Sequence, residues 1–410
     1  MVVTSTMPLA NWDPMAQFGA DTRDVRDPHP ELARRRREEP IARRPAWGED
    51  GRTVDGFELY RYDDCAAVLR DNETFSSESI RANMEMVMGP YPLVGMDEPD
   101  HKRLRSLVAQ AFRQKTVAHF EDDLVVPAVD EMIDGFVDRG EAELVREMTY
   151  RYPVQVIAVI LGLPREDYEQ FHAWASAIIS VGAQPQQGVH ASRALRVYLE
   201  GVLADRRACP RDDLVSELAT AELDGERLGD EELYSFVRLL LPAGAETTYR
   251  ATGNLLFGLL SDPPQLDAVR RDRSQLTAAV EEAIRWEPPL LITSRVAARD
   301  AEVAGTPVPA GTQVIPNIGS ANRDETRWDD AETFNIAREA KPVISFGVGP
   351  HMCLGMHLAR MEMRAAVSRL LDRCPNLRFD TDAVARDDPH IHGETFRSPT
   401  TLPVRFDVAA

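Results

Sequence analysis

The run Phe346-Gly347-Val348-Gly349-Pro350-His351-Met352-Cys353-Leu354-Gly355 surrounds one cysteine with residues suited to a thiolate that holds iron. Such a sulfur must stay anionic, be shielded from water and lie within reach of backbone donors. Leu354, Leu358, Met361 and Ala365 recur at helical spacing, which predicts Cys353 at a helix start, where the helix field lowers a thiol pKa. Gly347 and Gly349 let the preceding loop turn its N–H groups toward the sulfur, Phe346 can cover the loop, and Gly355 leaves room for a flat macrocycle. As the only strong axial ligand, a thiolate pushes electron density onto haem iron and favours O–O cleavage. Two other readings compete: a packed small cysteine, and a metal or nucleophilic site of His351, Cys353 and His357. No second cysteine stands nearby and no cysteine-hydrolase signature is present.

Three further groups have chemical spacing. Glu282 and Arg285 are three apart on a helical run that begins near Pro264 and stops at Pro288-Pro289; alone, the pair reads as a surface ion pair. Ala243-Gly244-Ala245-Glu246-Thr247-Thr248 lies within an apolar helix from about Asp230 to Leu260, where Pro242 predicts a kink and Gly244 a bare patch of backbone. Small residues at a bend usually mean close helix packing; beside a haem the same bend makes a groove for dioxygen and water. His101 and Arg105, four apart, share one helix face that could neutralise carboxylates.

The cysteine run fits Phe-x-x-Gly-x-x-x-Cys-x-Gly, and through it the chain resembles the cytochrome P450 superfamily, specifically its soluble bacterial members, over nearly all 410 residues. The resemblance implies a mainly α fold with a small β region and haem b ligated by Cys353. It makes Glu282 and Arg285 a buried pair completed by Arg338, which locks the segment before the cysteine loop. It sets His101, Arg105, Arg295 and His351 on the haem propionates, and Gly244 beside the cofactor. It also makes Glu246 and Thr247 the acid–alcohol pair, in which Thr247 donates protons to reduced dioxygen and Glu246 links it to a solvent relay. Pro242 and Ala245 depart from the family's usual residues and bear on pocket shape.

Substrate contacts in the family come from the loop before the His101 helix, here Met84, Met86, Met88, Leu93 and Val94. They come also from the middle helices, here Ile178, Ile179, Leu240 and Ala243, and from Leu291 and Ile292 after Arg285. Met-rich surfaces adapt to varied apolar shapes, which suits a small or medium hydrophobic substrate such as a terpenoid, steroid, fatty acid or polyketide. Lys102, Arg103, Arg113, Lys115, Arg360 and Arg364 form a basic patch on the thiolate side, read as the docking face for an acidic ferredoxin or flavodoxin-type donor. The resulting function is a monooxygenase that uses dioxygen and two electrons; a peroxide-driven peroxygenase and a haem-thiolate sensor are the alternatives.

The elements that position these residues are mostly helical: Asp63 to Leu69, His101 to Phe112, Asp122 to Val137 and the runs above. Strand signals fall near 50–62, 293–320 (Phe57 to Tyr60 and Arg295 to Ile318, with turns at Gly305 and Gly311) and 390–408 (Thr401 to Phe406). No linker or repeat divides the chain, and motifs from residue 101 to residue 355 must meet at one cofactor, so 1–410 reads as one domain. A formal net charge of −20 argues against nucleic acid and anionic membranes as partners. Four scattered cysteines, no signal peptide and no spanning apolar run predict a cytoplasmic monomer.

Overall fold

A computed structural model of the chain describes residues 25–47, 53–109, 120–179, 181, 184–223 and 225–408. Its organising element is the helix Asp230–Ser261, which runs unbroken through Pro242. Asp230, Glu231 and Glu232 set negative charge at its N-terminus, and the Glu232 carboxylate accepts from the Gly229 N–H at 2.9 Å. Helices Tyr152–Ile160, Tyr168–Ile179, Leu276–Trp286 and Met356–Arg373 pack around it, so its side chains are buried nearly all round. A Cβ on Gly244 would meet Ile157 Cδ1 at 2.5 Å, so the bare backbone there is what admits the Tyr152–Ile160 helix. Tyr152 Oη and Thr252 Oγ1, 2.7 Å apart, tie the same two helices.

The β region is a five-stranded sheet in the order Ile41–Trp47, Thr53–Leu59, Gln313–Pro316, Arg295–Ala297, Phe75–Ser76. Its one parallel pair sets Val314 opposite Phe57; the others are antiparallel. Ile41–Trp47 was not predicted, because Pro45 and two arginines hide it; it is an edge strand, where a missing N–H is tolerated. The turns at Gly305 and Gly311 have φ of 81° and 82°. In the tail, Pro403–Arg405 pairs with both Arg378–Phe379 and Glu141–Glu143.

Two predicted helices are broken. The run from Pro264 to Arg285 is Pro263–Arg271 and Leu276–Trp286, because the Asp272 carboxylate accepts from the Ser274 N–H at 3.0 Å and starts a new turn. The stretch from Asp122 to Val137 opens with a π turn, Glu121–Val125, before the helix Val126–Asp134, since Pro127 lacks the donor a regular turn would use. The helix expected from His101 to Phe112 is Asp100–Val108; Phe112, Arg113 and Lys115 lie outside the described residues. No helix among the described residues is long and apolar enough to cross a membrane.

Candidate functional site

Cys353 lies in the loop before the helix Met356–Arg373 rather than in its first turn. Its N–H donates to the Phe346 carbonyl at 2.8 Å, closing the loop, and the Gly355 N–H is directed at its sulfur. Gly347 and Gly349 have φ of 71° and 81°, and a Cβ on Gly349 would meet the Leu69 carbonyl at 2.8 Å. The loop therefore rests on the end of the helix Tyr62–Arg70. The lowered thiol pKa expected at a helix start is not found: surrounding protein pushes the Cys353 thiol up, against the Gly355 N–H, Arg105 and Arg360. The Arg360 guanidinium caps the Phe346 ring at 4.5 Å.

Four cationic or imidazole groups gather beside this sulfur. The rings of His101 and His351 stack at 4.0 Å, and His351 Nε2 meets Ser77 Oγ at 3.0 Å. Burial, then His101, Arg295 and Arg105, push His351 down to about 3. Arg105 donates to the Met352 carbonyl, and burial lowers its pKa against the pull of Cys353. Arg295 donates to the Ser294 carbonyl at 2.7 Å, and burial brings it down to about 10 despite Asp97. Acidic neighbours do little to neutralise the group: Asp97 is engaged by the Ser77 N–H at 2.9 Å, and Glu98 reaches His101 at only 3.4 Å. His101 Nε2 and Arg295 Nε are buried without a hydrogen-bond partner among the described residues. Buried donors left in this way call for anionic oxygens. A cavity of about 660 Å³ opens beside His101, Arg105 and Pro350, and a Cβ on Gly355 would meet nothing within 4 Å. A flat iron-bearing macrocycle with two carboxylates fits this donor set.

On the long helix, Leu240 and Thr247 are part-open and Ala243 is exposed, a stripe at helical spacing in an otherwise buried segment. Thr247 Oγ1 donates to the Ala243 carbonyl at 2.8 Å. Glu246 takes a different direction and is wholly buried, which raises its carboxyl pKa against Arg250 and Ser176. Its Oε1 accepts from Ser176 Oγ at 3.2 Å, and Arg250 lies 3.6 Å from Oε2. Thr248 is buried, its carbonyl accepting from Thr252 at 2.9 Å.

Glu282, Arg285 and Arg338 meet in a buried cluster. Arg285 grips both Glu282 oxygens at 2.8 Å, and Arg338 Nε reaches Oε1 at 3.1 Å. Arg285 also binds the carbonyls of Asn322 and Ala331, while Arg338 binds those of Asp330 and Thr333. Asn322 carries the tie onward: its Oδ1 accepts from Ile344 N–H at 3.0 Å and its amide donates to Ser345 Oγ at 2.7 Å. Ser345 Oγ in turn donates to the Ile284 carbonyl at 2.6 Å, so the segment leading to Phe346 hangs from the Leu276–Trp286 helix.

The apolar candidates divide by burial. Met84, Val94, Ile179 and Ile292 are part-open and Met86 is exposed. Met88, Leu93 and Ile178 are buried in the main core. Leu291 is buried with Leu32, Ala42 and Tyr60 in a smaller cluster, and Gly319 closes on it. In the basic patch, three arginines have acidic partners. Arg103 pairs with Glu232 and Glu226, Arg360 with Glu281 and Arg364 with Glu121, which neutralises it locally. Lys102 is exposed. The sequence reading missed Ser77, Asp97, Ser176, Arg250, Asn322 and Ser345, all common polar types whose contacts become visible only when distant segments meet.

The family model described as cytochrome P450 matches residues 159–390. The chain is 35% identical to the cytochrome P450 monooxygenase PikC of Streptomyces venezuelae, covering 96% of this chain and 94% of that protein. It is 37% identical to the erythromycin C-12 hydroxylase of Saccharopolyspora erythraea, over 79% of this chain and 83% of that one. Among solved structures, the bacillaene polyketide synthase cytochrome P450 PksS of Bacillus subtilis superposes with a TM-score of 0.85 at 32% identity, covering 97% of this chain and 100% of that one. Such likeness over nearly the whole chain, with a cysteine loop and cationic cluster suited to haem, makes the protein a member of the cytochrome P450 family, an oxidoreductase whose cofactor is a haem-thiolate.

Proposed function

We propose that this cytochrome P450 binds haem b and hydroxylates a small or medium hydrophobic compound of polyketide type, one atom of dioxygen entering a C–H bond. The observation that carries the reading is the gathering of His101, Arg105, Arg295 and His351 beside Cys353, with buried donors that lack partners among the described residues. Bound haem supplies dioxygen activation at its metal. Cys353 would hold the metal through its thiolate, while His101, Arg105, Arg295 and His351 would take the propionates. Leu240, Ala243, Val94 and Ile179 give the substrate an apolar seat and keep water out. Thr247 Oγ1 holds a proton at the open face, and Glu246 re-supplies it.

The polyketide class is preferred to terpenoids, steroids and fatty acids because the relatives include an erythromycin hydroxylase and the polyketide biosynthesis enzyme PksS. Electrons come from a ferredoxin- or flavodoxin-type donor, and the chain works as a single-domain monomer in the cytoplasm. Its charge of −20 and the meeting of residues 101 to 355 at one centre support that reading. Screening macrolide and other polyketide libraries for spin-state shifts, then measuring oxygen use and product with a surrogate reductase, tests it. A shifted compound that is hydroxylated supports the proposal. Turnover with peroxide but none with any electron donor would overturn it.

A further inference from the structure

Glu246 is held from the side opposite the open stripe. Ser176 and His172 stand four apart on the helix Tyr168–Ile179 and so share one face. Ser176 Oγ lies 3.2 Å from Glu246 Oε1 and 2.6 Å from Tyr150 Oη. Tyr150 lies tilted against the His172 ring, centroids 3.9 Å apart, and meets the edge of Tyr249 at 5.2 Å. Glu246, Ser176 and Tyr150 are all buried. A serine hydroxyl has one proton; when Ser176 gives it to Glu246, Tyr150 must be the donor to Ser176. Two O–H dipoles are then aligned on one carboxylate in a low-dielectric site, where aligned bonds reinforce each other. Arg250 faces the same carboxylate from the long helix as an ion pair at 3.6 Å.

We propose that Ser176 and Tyr150 are positioning residues for the acid of the oxygen-activation step, a string Tyr150→Ser176→Glu246 that fixes the carboxyl and sets how readily it yields and regains a proton. The proposal rests on the reading of Glu246 and Thr247 as the proton relay. Groups facing the carboxyl from the surrounding elements are Ser176 and, behind it, Tyr150 and His172, together with Arg250 and Tyr249. Burial keeps His172 neutral, down to about 3, so it adds no charge across the ordinary pH range.

The test uses the haem-loaded protein with Ser176→Ala, Tyr150→Phe, their double variant and Glu246→Gln. Infrared difference spectra over a pH series, with the Glu246 band assigned by its loss in Glu246→Gln, read the carboxyl directly. Loss of the Ser176 bond, which favours the charged form, raises its titration by about one unit. Ser176→Ala and Tyr150→Phe should each release more peroxide per product with an electron donor and leave peroxide-driven turnover intact, since peroxide brings its own protons. The double variant should match Ser176→Ala, because Tyr150 acts through Ser176; additive losses would mean independent packing defects and overturn the string. Unchanged titration and coupling in Ser176→Ala, beside an uncoupled Glu246→Gln, would overturn the string and spare the relay. A fully coupled Glu246→Gln would overturn the relay and the string with it.

Discussion

Thr247 and Glu246 are neighbours in sequence but serve different surroundings: the hydroxyl is part-open and bonded to Ala243, the carboxyl buried against Ser176. Their types were legible in the sequence; their directions were not, since adjacent helical residues diverge by about 100° and only the packed neighbours decide which faces what. If Thr247 delivers protons, Thr247→Ala should consume electrons at close to the normal rate yet lose most of them as peroxide. Peroxide and product measured per electron donor oxidised check this, and an unchanged ratio would remove Thr247 from the relay. Gly244 shows the converse case. Its smallness was visible, but its Cβ position faces Ile157, so the residue serves helix packing as the bland reading of small residues had it.

Among the elements, the clearest prediction concerns the clamp that suspends the cysteine loop. Glu282→Ala leaves Arg285 desolvated without its carboxylate, a cost of ~3–5 kcal/mol. Little haem-loaded protein should be recovered, and normal haem content with an unshifted unfolding midpoint would make the clamp dispensable. A second clamp holds the helix His29–Glu38: Glu287 binds His29 at 2.8 Å, Arg323 at 3.0 Å and Arg397 at 2.6 Å, all buried. Glu287 is held well below the usual carboxylate range, and burial lowers His29. Both shifts are downward, so their stabilisation is complete above the unfolded values near 6.5 and 4.5 and is lost as pH falls. Protection factors of the amides over residues 29–38, taken relative to the intrinsic exchange rate at each pH, should therefore fall on acidification from neutral pH; protection independent of pH would refute the sign. Neither the edge strand Ile41–Trp47 nor this clamp was legible: Pro45 and the arginines mask the strand, and the clamp joins residues some 258 positions apart.

For the whole molecule, the mainly α architecture could be read from sequence because helical periodicity is a local quantity, whereas the gathering of residues 101, 105, 295, 351 and 353 was legible only through the family resemblance. The acidic partners could not: Arg103 stands in a basic run and Arg360 and Arg364 follow the cysteine, and only the fold shows the carboxylate that each one pairs with. The account as a whole stands on Cys353 as the iron ligand, and the reduced protein's carbon monoxide spectrum tests that most directly. The native chain should give the strongly red-shifted band of a thiolate-ligated haem, and Cys353→Ser should lose it. A red-shifted band that survives Cys353→Ser, or a native chain with an imidazole-type band, would contradict the account.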